Sequence, residues 1–195
     1  MERTAAVARD TKETRVNVSI GLDGSGVHDI ATGIPFFDHM LSLFAAHGFF
    51  DLTLKAQGDI EVDFHHTVED AGIALGDAVN KALDDRVGIR RYGYAVTPMD
   101  ETLATAAIDL SNRPFLVYNA PSGISNETGF GVFLAREFFR AFSVNSGMTL
   151  HINVDYGESE HHILEAIFKS VARALDMASG ADGRISGPLS TKGAI

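Results

Sequence analysis

Cysteine is absent from the 195-residue chain, which rules out disulfides and thiolate metal sites, so any transition metal must be held by histidine and carboxylate. No apolar run is long enough to cross a bilayer. The opening MERTAAVARDTKETRV lacks the apolar segment that a secretory signal needs, and the expectation is a soluble, cytoplasmic protein. Positive charge is also scarce. Against 26 Asp and Glu there are 16 Lys and Arg, a formal net charge of −10, which argues against nonspecific nucleic-acid binding. A small anionic substrate would therefore need a local basic pocket. What remains is ordinary globular material, 45% hydrophobic and 22% charged, long enough for one domain or two fused halves.

The pair His65-His66 followed by Glu69 recurs as His161-His162 followed by Glu165, at a separation of 96 residues. At the same separation Leu54 matches Leu150, Thr53 matches Thr149, Ala45 matches Ala141 and Ala78 matches Ala174. Self-similarity at a fixed offset reports repeated structural units; two copies indicate a duplication and not a solenoid. Each copy reads as helix, strand, polar loop and long helix. In the first half these are Phe36 to Ala46, Phe49 to Ala56, Gln57 to Val62 and Phe64 to Leu83. In the second they are Phe130 to Val144, Met148 to Val154, Asp155 to Ser159 and Glu160 to Met177. Upstream, TRVNVSIGL and YGYAVTPMDETLATAAIDL read as antiparallel strands. The expectation is an α+β fold, a tandem duplication in which each half is a sheet with helices packed on one face. The whole chain, 1–195, is read as one unit of two repeats, about 10–88 and 89–180, with a tail at 181–195. By composition alone that tail, within GADGRISGPLSTKGAI, reads as a mobile end.

Residues i and i+4 share a helix face, whereas neighbours point about 100° apart. His65 and Glu69 can therefore converge on one ion, while His66 faces partly elsewhere and, with Glu69, is available to a second ion. The same holds for His161, Glu165 and His162. Imidazole with carboxylate suits manganese, zinc or iron, and manganese is favoured where oxygen and nitrogen ligands complete an octahedron. A single HHxxE is also met as a plain surface pattern; two in register weigh toward a dinuclear site, though duplication alone can preserve a pattern. His39, in GIPFFDHML, is either a further ligand or a packed histidine on a helix capped by Asp38. His47 and His151 are weaker candidates, and His28 lies in a turn-rich stretch. Lys169, eight residues after His161, is two turns along the same face and so near the metal set.

GIPFFDHML, HHTVED followed by GIALG, SNRP, MTLHI, HHILEAIFKSVARAL and STKG together closely resemble the imidazoleglycerol-phosphate dehydratase family over nearly the whole chain. The resemblance implies two ferredoxin-like halves in a symmetric shell of 24 subunits, with manganese, two ions per active site, bound between subunits. It implies metal ligands at His39, His65, His66, Glu69, His161, His162 and Glu165. Some members carry a histidine ligand in an EHFF segment where this sequence reads REFF, which places Glu137 there as a candidate carboxylate ligand. Arg91, Arg113, Lys169 and Lys192 match substrate-binding positions, Ser190 and Thr191 add hydroxyls, and the tail would order over bound substrate. His39 and His47 also count as candidate substrate contacts. Glu13 matches a substrate position and is the candidate general acid/base; its bland alternative is an exposed ion pair with Lys12 or Arg15. Glu69 and Glu165 could double as bases, but metal ligation lowers their basicity.

The reaction implied is loss of water from imidazole glycerol phosphate to give imidazole acetol phosphate in histidine biosynthesis, through a dimetal-bound imidazolate and a diazafulvene-like intermediate. Two rivals use the same residues. A metal-dependent hydrolase would activate water on a phosphate ester, and a noncatalytic metal-storing or metal-sensing oligomer would need no basic cluster. No HExxH motif and no P-loop is present.

Overall fold

The structure is a computed structural model that describes residues 3–121, 124, 128–193 and 195. The first half runs β1 (Thr4–Asp10), β2 (Thr14–Gly21), β3 (His28–Ala31), α1 (Pro35–Gly48), β4 (Asp51–Gly58) and α2 (His65–Leu83). The second repeats the order as β5 (Tyr92–Met99), β6 (Thr102–Asp109), β7 (Phe115–Asn119), α3 (Gly131–Ser146), β8 (Thr149–Tyr156) and α4 (Glu160–Ser179). Each half is a four-stranded sheet, in the orders β1-β2-β4-β3 and β5-β6-β8-β7. The last pair in each order is parallel and the others antiparallel. The expected α+β duplication, with two helices on one face of each sheet, is what the chain forms.

The offset of 96 holds between α2 and α4 alone, which carry the histidine pairs. Helices α1 and α3 end in left-handed caps at Phe49 and Gly147, and β4 (Asp51–Gly58) corresponds to β8 (Thr149–Tyr156), a separation of 98. The matches Leu54–Leu150, Thr53–Thr149 and Ala45–Ala141 are therefore not structural equivalents. Gly21 pairs with Asp51 and Asp109 with Thr149, so β2 and β6 are related by 88 residues. Strands β1, β3 and β7 escaped the sequence reading. TAAVARD is too rich in alanine to announce a strand, and β3 has only four residues.

Alternation decides which face is covered. Val16, Val18 and Ile20 of β2 are buried with polar neighbours between them, and Ala104, Ala106 and Ile108 are buried on β6 with the more exposed Thr105 and Ala107 between them. These inner faces receive the helices, and α2 packs against α3 and α1 against α4, so the four helices lie between the two sheets. Phenylalanine fills the junction. The Phe37 ring stacks on Phe130 at 5.2 Å and meets Phe138 edge-on at 5.3 Å; Phe138 stacks on Phe168 at 5.6 Å. The outer faces differ. The first sheet turns Arg15, Asn17 and Ser19 outward, whereas the second exposes Tyr92, Tyr94, Val96 and Phe115.

Two contacts between elements bear on the site. A Cβ on Gly72 of α2 would sit 2.6 Å from the Phe138 carbonyl oxygen, and one on Gly76 would sit 2.7 Å from that of Phe142, so only glycine lets α2 and α3 approach this closely. The tail corrects the expectation of a mobile end. Ile89 forms a bridge with Ala181, Asp182 N–H donates to the Gly88 carbonyl, and Arg91 donates to the Leu189 carbonyl at 2.5 Å. The tail is held by the segment that opens the second half.

Candidate metal centre and anion cavity

The helix-face argument holds in both long helices. On α4, His161 Nε2 lies 2.8 Å from Glu165 Oε1, and on α2, His65 Nε2 lies 3.4 Å from Glu69 Oε2. Each pair gains a third donor from the other half. His39 of α1 brings Nε2 to 3.3 Å from Glu165 Oε1, and Glu137 of α3 joins His65 and Glu69. In each trio one donor atom per residue lies within 4.8 Å of the others. The exchange is reciprocal down to the aromatic neighbours. Phe36, three residues before His39, meets the His161 ring edge-on at 5.2 Å, and Phe133, four before Glu137, stacks beside His65 at 6.5 Å.

His39 is half-exposed and aimed at Glu165, not a packed core histidine. Asp38 does not cap α1. It accepts hydrogen bonds from Thr32 N–H at 2.8 Å and Thr32 Oγ1 at 2.5 Å, which ties down the preceding loop, while Pro35 opens the helix. Asp63 accepts from His65 N–H at 2.7 Å and so satisfies a free amide at the start of α2; Ser159 caps α4.

His66 and His162 lie outside both trios, as the divergence of neighbouring helix positions requires. His66 Nδ1 is 3.0 Å from Asp59 and 3.7 Å from Glu13. His162 Nδ1 is 2.7 Å from Glu101, with Asp100 3.8 Å from Nε2. These carboxylates hold both imidazoles above their ordinary pKa, Asp59 through its hydrogen bond to His66 and Glu101 through its bond to His162. Glu101 also accepts from Ser159 N–H at 2.9 Å, and its own pKa falls well below the carboxylate range, first through that amide and then through His162. Asp59 and Glu101 were not singled out from sequence. The signal was available in the repeat, since Glu13 and Glu101 sit in the equivalent hairpins β1–β2 and β5–β6.

Lys169 lies where its spacing places it, with Nζ on Glu165 Oε2 and 3.6 Å from Met99 Sδ. Burial would raise the Glu165 pKa, but hydrogen bonds from Lys169, His161 and His39 outweigh it and bring the carboxyl down to about 2. His47 stands beside Arg173 and Lys169; burial first, then those two cations, lowers its pKa.

A second place gathers the cations. Arg91, Arg113, Arg184, Ser190, Thr191 and Lys192 line one open cavity of about 780 Å³. Arg91 is buried and gripped by Asp109, with Nε at 2.6 Å and Nη2 at 3.1 Å, while Arg113 is exposed and 3.6 Å from the same carboxylate. The fork on Asp109 aims the remaining Arg91 N–H groups. The cavity and the α4 trio are far apart within the chain. Arg91 precedes β5 and Met99 ends it, so eight residue steps of extended chain, about 25 Å, separate them.

Fold and site define a class: an enzyme of duplicated α+β architecture whose two imidazole–carboxylate trios have the donor chemistry of metal centres. Comparison with known proteins narrows it. The sequence profile described as imidazoleglycerol-phosphate dehydratase matches residues 32–175. The imidazoleglycerol-phosphate dehydratase of Desulfosudis oleivorans is 73% identical over 195 residues, covering 100% of both chains, and that of Pelobacter propionicus is 54% identical over the same span. Among solved structures, the Staphylococcus aureus enzyme superposes with a TM-score of 0.81 at 39% identity, covering 92% of this chain and 99% of its own. The Pyrococcus furiosus enzyme gives 0.84 at 34% identity, covering 97% and 100%. The chain belongs to the imidazoleglycerol-phosphate dehydratase family, whose members are hydro-lyases.

Proposed function

We propose that the chain removes water from imidazole glycerol phosphate to give imidazole acetol phosphate, the dehydration step of histidine biosynthesis, in the cytoplasm. The observation that carries this reading is the convergence of His39, His161 and Glu165, and of His65, Glu69 and Glu137, in a chain of this family. Donor sets of imidazole and carboxylate without thiolate fit manganese, and we assign one ion to each trio. When bound, such ions supply Lewis-acid polarisation of the substrate's ring nitrogens and a template for the ring.

The remaining groups take roles from their positions. Arg113, Lys192 and the N–H groups that Asp109 leaves on Arg91 bind the phosphate, with Ser190 and Thr191 adding hydroxyl donors. Lys169 offers a further cation beside the ring, and His47 a neutral imidazole nearby. Glu13, half-exposed next to His66, holds or moves a proton at the carbon that loses it.

The separation of about 25 Å between cavity and trio along β5 is too great for one small substrate, so the working site joins the cavity of one copy to the metal centre of another. His66 and His162, which face away from their own trios, then serve as ligands to centres of neighbouring copies. The exposed Tyr92, Tyr94, Val96 and Phe115 on the second sheet are an apolar face suited to burial in such an assembly, read here as the 24-subunit shell.

The test is turnover of imidazole glycerol phosphate by metal-stripped protein, with and without added manganese. Manganese-dependent formation of the ketone is expected. Absence of the ketone from a folded, metal-loaded assembly, or release of phosphate in its place, would overturn the reading.

A further inference from the structure

The two trios differ in composition: two imidazoles and one carboxylate on α4, one imidazole and two carboxylates on α2. They agree in how the carboxylates are held. Glu165 turns Oε1 toward His39 and His161 and gives Oε2 to Lys169. Glu69 turns Oε2 toward His65, and its Oε1 lies 3.3 Å from Arg140 Nη2. The same Nη2 is 2.9 Å from Glu137 Oε2. One guanidinium nitrogen therefore contacts both carboxylates of the α2 trio, and on Glu69 it takes the oxygen turned away from His65. A histidine at position 137 would offer no such second oxygen, so the need for this contact arises from the glutamate this chain carries.

We propose that Arg140 is a positioning residue for the α2 metal centre. It orients Glu69 and Glu137 so that each presents a single oxygen to the ion, and coordination positions stay open for exchangeable ligands. The proposal rests on the reading of the trios as metal centres. Its physical basis is geometric and not a matter of stability. The Arg140 side chain is 55% exposed, and ion pairs at that exposure stabilise a fold very little. Both contacts fall on the single nitrogen Nη2, whose orientation is fixed by the rigid guanidinium plane, where a lysine ammonium rotates freely on a flexible stem. Charge alone also makes the opposite prediction, which separates the two effects. Removing a cation beside a divalent ion tightens the binding of that ion, whereas removing an orienting contact lets the carboxylates rotate and chelate through both oxygens.

The experiment loads wild-type protein, Arg140→Gln and Arg140→Lys with Mn²⁺. It measures stoichiometry and affinity by calorimetry, and exchangeable water on each ion by water-proton relaxation and pulsed electron-nuclear double resonance. Wild-type chains are expected to hold two ions; failure there defeats the metal reading itself, whatever Arg140 does. In Arg140→Gln one of the two ions is expected to lose exchangeable water while the other keeps the wild-type signature, with Arg140→Lys intermediate. Selective weakening of that one ion also supports the proposal, because lost positive charge cannot cause it. Unchanged water with equal or tighter Mn²⁺ binding would overturn the proposal, as would an equal disturbance of both ions. In a Glu137→Gln background, where one carboxylate charge is gone, Arg140→Gln is expected to have a smaller effect.

Discussion

Lys169 Nζ lies 3.6 Å from Met99 Sδ, at the far end of the strand that starts beside Arg91, and the proposed site therefore draws the cation next to the α4 trio and the cation in the tail cavity from different chains. Lys192→Ala damages the cavity, and His161→Ala damages the trio. Each variant is expected to be inactive alone, and co-assembly of the two is expected to restore activity by pairing an intact cavity with an intact trio. Activity assays after mixed reassembly check this; no recovery from a well-mixed assembly would place both halves of the site in one chain.

The approach of α2 to α3 at Gly72 puts Glu69 beside Glu137. Gly72→Ala would force its Cβ to 2.6 Å from a backbone oxygen that cannot swing aside. Separating the helices is expected to cost about 1–3 kcal/mol, the usual range for overpacking, and to weaken Mn²⁺ binding at one of two ions. Denaturant midpoints and calorimetry together decide it. A stable protein with both ions intact would show that the helices give way elsewhere.

Phe37 is fully buried at the junction of the halves and touches rings from before and within α3. Phe37→Ala is expected to destabilise by about 3–5 kcal/mol. Because the lost contacts join the two halves, the unfolding transition is also expected to broaden or split, which urea titration followed by two probes would reveal.

Acid sensitivity of the metal-free chain should trace partly to Glu165. Its folded pKa, about 2, lies below the ordinary value of 4.5, so its contribution to stability is present above about pH 4.5 and fades as pH falls toward 2. Glu165→Gln is expected to flatten the loss of stability over that window. Urea midpoints from neutral pH downward measure it, and an unchanged slope would show that Glu165 is not coupled to folding.

Local geometry explains which parts of the site were legible in the sequence. The pairings His65–Glu69, His161–Glu165 and Glu165–Lys169 follow from helical periodicity, and the duplication from a fixed offset. His39 and Glu137 reach their partners only through packing between the halves; the family resemblance named both, whereas spacing alone could not. The Arg140–Glu137 pair follows from i,i+3 spacing and Glu101 from its hairpin's equivalence to that of Glu13, whereas the reach of Arg140 to Glu69 and of Asp59 to His66 depends on helix packing and loop path that spacing does not encode. The tail was misread by composition because what holds it is mostly backbone hydrogen bonding to residues 88 and 90, which is independent of side-chain type, with one side-chain bond from Arg91 to the Leu189 carbonyl.

The exchange of donors between α1 and α4, and between α3 and α2, has a consequence for ancestry. A chain of half this length would carry an incomplete trio, with its third donor pointing away into solvent. Two such chains related by a twofold axis would complete each other's trio in a single step, since in an isologous contact each partner gives what it receives. The two halves are thus arranged as a symmetric dimer joined into one polypeptide. Within one polypeptide the two places need not match, and His39 and Glu137 do not: the same place in the trio is filled by an imidazole on one side and a carboxylate on the other.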